Sequence, residues 1–420
     1  MSSAPPFRLP GTHFIGVLVS LLVGAAGLVV IAPDLAAAQF LNPRVFAVTH
    51  LFTLGVIVTA VFGALYQFYP MSLGAGARSV RVGVAGAWLM HAGTALVVAG
   101  FWWWRPALQA AGWWAVFLAV GCVAWNLLPH RRRMTQGRRT AAYVSLAHAM
   151  LGFAMIIAAA RIGASLGWWR LDRLGAIAAH FHLAAFGFAG LTAVGVGGRM
   201  LPMFLVSGPA PEQPFRIIGP VATGGLALLT LGFMIGVEPL VWAGALLGVA
   251  AAALFVRTVA GFFSHRLVHR LEPAFGHVIF GFASLVIGLV TALVQLALPG
   301  FSARGWVVYA ELVLLGWLVV FITGVMYRLL PFLIWLHFYA RLRSSRTAAE
   351  LVNRPLAWVA LGLLGSGIMA IVAGTATSST VLVRVGAGGF LAGSVLVAAQ
   401  YPRRFAGGVS DSPAGARSAH

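Results

Sequence analysis

Apolar runs of about 20 residues or more recur along the chain, each long enough to cross a bilayer core of ~30 Å as a helix. Lipid offers no partner for backbone N–H and C=O groups, so such runs must satisfy them internally, as helices do. Twelve spans follow, at roughly 13–33, 44–70, 80–103, 106–129, 141–167, 175–202, 215–235, 238–262, 274–298, 303–331, 354–375 and 380–400. The expected fold class is all-α, a polytopic membrane protein of about twelve transmembrane helices. Composition points the same way. Of the 420 residues, 60% are hydrophobic and 9% charged, with a mean hydropathy of +0.94. A soluble domain of this size has no interior large enough for so much apolar surface.

The net charge of +20 does not point to nucleic acid. The basic residues fall in short loops, as in His130-Arg131-Arg132-Arg133, Arg138-Arg139, Arg266 with Arg270, and Arg341 with Arg343 and Arg346. The loops after the second, fourth, eighth and tenth spans hold most of the arginine, which predicts a cell-membrane protein with both termini cytoplasmic. The bilayer is the expected partner, and nucleic acid is not. Trp102, Trp103, Trp104, Trp168 and Trp169 fall at outer helix ends, where an aromatic belt is expected. The single cysteine, Cys122, supports neither a disulfide framework nor a thiolate metal cluster. The first apolar run has no small-residue cleavage site behind it and reads as a retained helix.

Three of the spans share a pattern. His50 is followed by Gly55, Gly63 and Pro70, at offsets of 5, 13 and 20. The same offsets from His182 give Gly187, Gly195 and Pro202, and from Glu311 they give Gly316, Gly324 and Pro331. The anchors lie 132 and 129 residues apart. Three pseudo-symmetric four-helix repeats are therefore expected, at 12–130, 141–263 and 274–402. They would form a single transmembrane domain, 1–405, with a disordered Gly/Ser/Ala-rich tail, 406–420. His148 and His277 both precede their anchors by 34 residues and read as equivalent, whereas His13 precedes His50 by 37 and fits more loosely.

Ionisable groups inside a membrane are costly and point to function. The anchors His50, His182 and Glu311 are the first candidates. His180 stands beside His182, and residues two apart on a helix point about 200° apart, so the two imidazoles face different neighbours. The matching pair in the third repeat is Tyr309 and Glu311, candidates for proton handling. Glu311 has a competing structural reading, an ion pair with a cation such as Arg161. His91, near the middle of the third span, reads first as an interhelical hydrogen bond and second as a reserve ligand. His13, His148 and His277 belong to the inner half, too far from the anchors to share a site with them. His130, His265, His269 and His337 sit in or beside basic loops and read as solvated. Arg199 and Arg328, both at offset 17, read as snorkelling to the inner interface.

The stretches H-L-F-T-L-G…F-G-A-L-Y-Q-F-Y-P and H-F-H-L-A-A-F-G-F…G-G-R-M-L-P-M-F resemble the haem-copper oxidase subunit I superfamily and its distant NnrS-type haem and copper membrane proteins. The resemblance extends over nearly the whole chain, in plan more than in letters. It implies a haem held from the outer side by His50 and a metal ligand at His180 or His182. The pattern also departs from the family. Phe215 to Ile235 lacks the His pair that completes the copper site there, and Tyr309-Ala310-Glu311 replaces a His-x-His. The family's oxygen-reducing centre cannot be assembled in the same way.

The reading that follows is a haem-binding membrane protein on an oxidase-like scaffold. A haem b iron would be ligated by His50 and His182, or by His180 in its place, with His91 in reserve. Copper is a second candidate cofactor. The expected role is electron transfer or nitric oxide or oxygen handling, oxidoreductase-like if enzymatic, with a redox protein or another membrane subunit as partner. The competing reading is a proton- or cation-linked transporter or channel, or a non-catalytic accessory subunit, on the same scaffold.

Overall fold

The computed structural model describes residues 5–128, 137–268, 270–298, 302–340 and 347–401. His130, His269, the basic runs at 131–133 and 341–346, and the tail lie outside the described residues. Twelve helices are long and apolar enough to cross a membrane. They are α1 (Arg8–Val30), α2 (Pro43–Leu73), α3 (Val80–Trp102), α4 (Pro106–Leu127), α5 (Arg138–Ser165) and α6 (Arg173–Leu205). Then follow α7 (Glu212–Ile235), α8 (Glu238–Ser264), α9 (Pro273–Ala297), α10 (Ala303–Tyr339), α11 (Arg354–Thr377) and α12 (Thr380–Ala399). The chain is a twelve-helix membrane protein.

Local chemistry sets the helix ends. Asn42, Ser79, Asp172, Ser302, Asn353 and Ser379 cap the N-termini of α2, α3, α6, α10, α11 and α12 with side-chain oxygens. Proline sits in the first turn of α2, α4, α8, α9 and α11, where its missing N–H costs nothing. Gly74 and Gly236 close α2 and α7 at φ 67° and 71°, a left-handed turn that glycine takes without strain. α6 starts earlier than the apolar run because Asp172 captures the N–H of Gly175 at 2.7 Å.

The second helix of each group of four lies at the centre, and α10 is the most enclosed of all. The third and fourth helices pair as antiparallel hairpins, α3 with α4, α7 with α8 and α11 with α12, and α1 closes the ring against α12. Outward faces carry large apolar side chains such as Trp88, Trp114, Ile156 and Val385, the surface that lipid covers.

Each central helix changes pitch just after its anchor. Leu51–Val58, Leu183–Gly190 and Leu312–Val319 are π-helical, eight residues each, in the same place in all three repeats. Hydrophobicity alone carries no trace of this, because every residue in the segments is apolar or small apart from Thr53.

The offset glycines set the distance to the first helix of each repeat. A Cβ on Gly187 or Gly316 would lie 2.7 Å from Met150 or Ser284, and Gly55 packs on Ser20 in the same way. A turn or two further on, Gly63, Gly195 and Gly324 pack on His13, Tyr143 and His277. The paired partners are seven residues apart in every repeat: His13 and Ser20, Tyr143 and Met150, His277 and Ser284. The equivalent of His277 in the second repeat is therefore Tyr143, not His148. His13, the looser match by spacing, is the structural one.

These positions build polar layers. His13 meets Tyr66 at a ring separation of 5.4 Å, and the Tyr66 hydroxyl accepts from Asn126 Nδ2 at 3.1 Å. His277 meets Tyr327 at 5.1 Å, and that hydroxyl accepts from Gln400 Nε2, also at 3.1 Å. In the second repeat Gly198 stands where the others have tyrosine. Phe215 fills the space, and Tyr143 donates to its carbonyl at 2.5 Å.

Candidate functional site

His50 ends the α-helical first part of α2, immediately before the π segment. Its Nδ1 bonds the Phe46 carbonyl at 2.7 Å, and Phe101 of α3 stacks on the ring at 4.9 Å. His180 comes from α6, and its Nδ1 bonds the Ala154 carbonyl of α5 at 2.9 Å. The two imidazoles lie side by side, ring centres 6.5 Å apart and planes inclined by 29°. They come from different repeats and meet at the boundary between them.

His182 turns the other way. Its Nδ1 bonds the Ala178 carbonyl at 2.8 Å, and its Nε2 meets the Tyr309 hydroxyl of α10 at 3.1 Å. Phe186 and Phe233 lie parallel or tilted against the ring, at 5.8 and 5.3 Å. His182 also walls a cavity of about 100 Å³ between the second and third repeats, with Leu226, Phe255, Leu289 and Trp317 among its apolar lining. The His-x-His pair thus serves two boundaries. The expected partnership of His50 with His180 or His182 is geometrically one with His180.

Glu311 is buried, and its Oε1 accepts from the Thr375 hydroxyl of α11 at 2.7 Å. Its Oε2 has no hydrogen-bond partner among the described residues. The expected ion pair with Arg161 is not formed. Arg161 lies beside Arg173 and Asp172 instead, and the Thr375 hydroxyl is the group that meets the carboxyl. His91 bonds the Thr12 carbonyl at 3.1 Å, and its ring occupies the space over Gly16 of α1. It lies ten residues from Phe101, about 15 Å along α3, which separates it from His50. His337, read as solvated, is half-buried: Nδ1 bonds the Leu333 carbonyl at 2.9 Å and Nε2 the Pro5 carbonyl at 2.8 Å, fastening the N-terminus to the end of α10. His265 is exposed. Arg328 does not snorkel freely, because Glu272 holds it at 3.2 Å between the rings of Phe204 and Phe275.

The donor set can be tested against the group the sequence resemblance implies. Metal-bound histidines ordinarily give the other ring N–H to a carbonyl, which fixes the ligating nitrogen. His50 and His180 both do so through Nδ1, leaving Nε2 as the available nitrogen on each. The two rings, 6.5 Å apart and from different repeats, are the residues that would hold such a group. Among the described residues no group of three or more His, Cys, Asp or Glu could hold a metal ion. His50 and His180 would suit a haem, which brings its own macrocycle donors, better than a copper ion held by protein alone.

No family model and no curated protein matches the chain. Among solved structures it is similar to a haem-copper terminal oxidase dimer determined by cryo-electron microscopy. The TM-score is 0.53 at 15% identity, over 95% of this chain and 84% of that one. At that identity the likeness concerns the fold alone. The protein has the fold of the haem-copper terminal oxidases.

Proposed function

We propose that the chain binds a b-type haem at the boundary of its first two repeats, where His50 and His180 would hold it. One observation carries this reading: two imidazoles from different repeats stand 6.5 Å apart, each with Nδ1 tied to a carbonyl. The haem would supply one-electron chemistry or a diatomic-gas site. The protein's part is to hold the two rings, to exclude water with Phe46 and Phe101, and to set the potential through ligand type and burial. The role the protein would serve here is electron transfer, or handling of nitric oxide or oxygen, the NnrS-like reading. A redox protein or a second membrane subunit would be the electron partner.

The test is a visible spectrum of the purified protein made with ample haem. A Soret band is expected, lost or shifted in His50→Ala and in His180→Ala and kept in His182→Ala. A colourless natural chain, or a band indifferent to both His50 and His180, would end this reading.

A second reading draws on Glu311, a buried carboxyl with one oxygen unpartnered. On it the scaffold passes protons or cations. In proteoliposomes Glu311→Gln would then lower proton-linked flux at least several-fold, and unchanged flux would remove the idea.

A further inference from the structure

At the end of the bundle where α1 begins, the three central helices surround a cavity of about 410 Å³. It is built from equivalent stretches, 66–72 of α2, 198–204 of α6 and 327–332 of α10, so it sits where the three repeats meet. Offset 17 from the anchors picks out Gln67, Arg199 and Arg328. Gln67 lines the cavity at 3% exposure, and neither amide atom has a hydrogen-bond partner. Arg328 also lines it, and its Nε–H is buried without an acceptor. Arg199 does not itself line the cavity but donates to the carbonyl of Ser72, which does, at 2.9 Å.

The charges at this rim do not balance. Arg328 and Arg354 share the single carboxylate of Glu272, at 3.2 and 3.5 Å, and Arg199 has no acidic partner among the described residues. The open hydrogen-bonding capacity is mostly donors: the amide of Gln67 and the Nε–H of Arg328. Buried donors left open cost free energy, and a surplus of guanidinium favours an anion. The rest of the lining is mostly apolar, with Phe68, Met71, Met203 and Phe332, beside Ser72, Tyr327 and the already paired Glu272.

We propose that this cavity binds an oxyanion of the phosphate class. Gln67 and Arg328 donate to it and Arg199 supplies charge, with room beside it for an apolar body. The anion could come from the head group of an anionic lipid or from free phosphate, and the two are separable by experiment. The site is independent of the His50–His180 boundary, which lies near the other end of the same helices.

The test measures binding to the full chain, purified in an uncharged detergent, of two probes: inorganic phosphate and short-chain dihexanoyl phosphatidate. Saturable binding of either is expected, weakened about tenfold or more in Gln67→Leu and in Arg199→Gln. It should stay unchanged in Arg216→Gln, an exposed arginine paired only with Glu212. Binding of both probes assigns the head group alone as sufficient, and binding of phosphatidate only assigns a lipid. Gln67→Glu keeps the shape and places a like charge at the anion, so it decides the matter if the leucine variant does not fold. No saturable binding of either probe, or affinities indifferent to Gln67 and Arg199, would overturn the proposal.

Discussion

At the scale of single residues, Glu311 holds the most demanding position. Thr375 gives its carboxyl one hydrogen bond inside an apolar bundle. Thr375→Val removes the donor and leaves a second buried oxygen open, so a loss of about 1–3 kcal/mol is expected, read as a lower denaturation midpoint in detergent. Glu311→Gln keeps an acceptor for Thr375 and should lose less. The sequence placed Glu311 at the right depth but gave it the wrong neighbour, because depth along a helix does not say which adjacent helix faces it. The pair His180 and His182 was half legible for the same reason. Their two-residue spacing says that they look in different directions. It does not say that His180 looks toward His50 and His182 toward Tyr309.

At the scale of the helix, glycine sets the spacing. A methyl group on Gly324 would stand 2.7 Å from the Cβ of His277 and 2.8 Å from the carbonyl of Ala274, and backbone cannot move aside cheaply. Gly324→Ala is expected to destabilise by about 1–3 kcal/mol through overpacking. Gly388 of α12 meets nothing within 4 Å, so Gly388→Ala should be neutral or slightly stabilising, as for glycine in any open helix. Thermal denaturation of the two variants side by side checks the contrast. The glycine pattern was visible in the sequence as offsets, and His277 and, more loosely, His13 as equivalent positions on the first helices. The correct partner in the second repeat was not, because Tyr143 replaces histidine there and His148 supplied a tempting equal spacing. The π segments left no sequence signal either, since a wider turn is chosen by packing among apolar residues that would equally suit an α-helix.

At the scale of the whole molecule, the twelve spans and their order were legible from hydropathy, because lipid leaves the backbone so few options. Their edges moved by a few residues, as at the start of α1, at Asp172, where a cap decides, and at Trp335–Tyr339, where the helix continues. Trp103, Trp104, Trp168 and Trp169 are exposed at the far ends of α3 and α5, the position of an interfacial belt. Orientation in the membrane follows from arginine placement and can be checked chemically. In a Cys122→Ser background, Thr377→Cys at the end of α11 should react with an impermeant thiol reagent added to intact cells. Glu212→Cys, at the start of α7, should react only after the membrane is opened. The reverse pattern would invert the topology.

The wide turns that follow each anchor have one more consequence. Each amounts to a surplus residue in the middle of a helix whose two ends pack on different layers. Removing one residue from Leu51–Val58 would restore an α-helix and turn His50 by about 100° relative to Gly63 and Pro70. The imidazole would leave His180, while the packing on His13 stayed where it is. Each central helix therefore carries an internal phase adjuster. It lets one end be re-aimed without disturbing the other, so the same scaffold can present histidine, or tyrosine and glutamate, at its anchor end over an unchanged base.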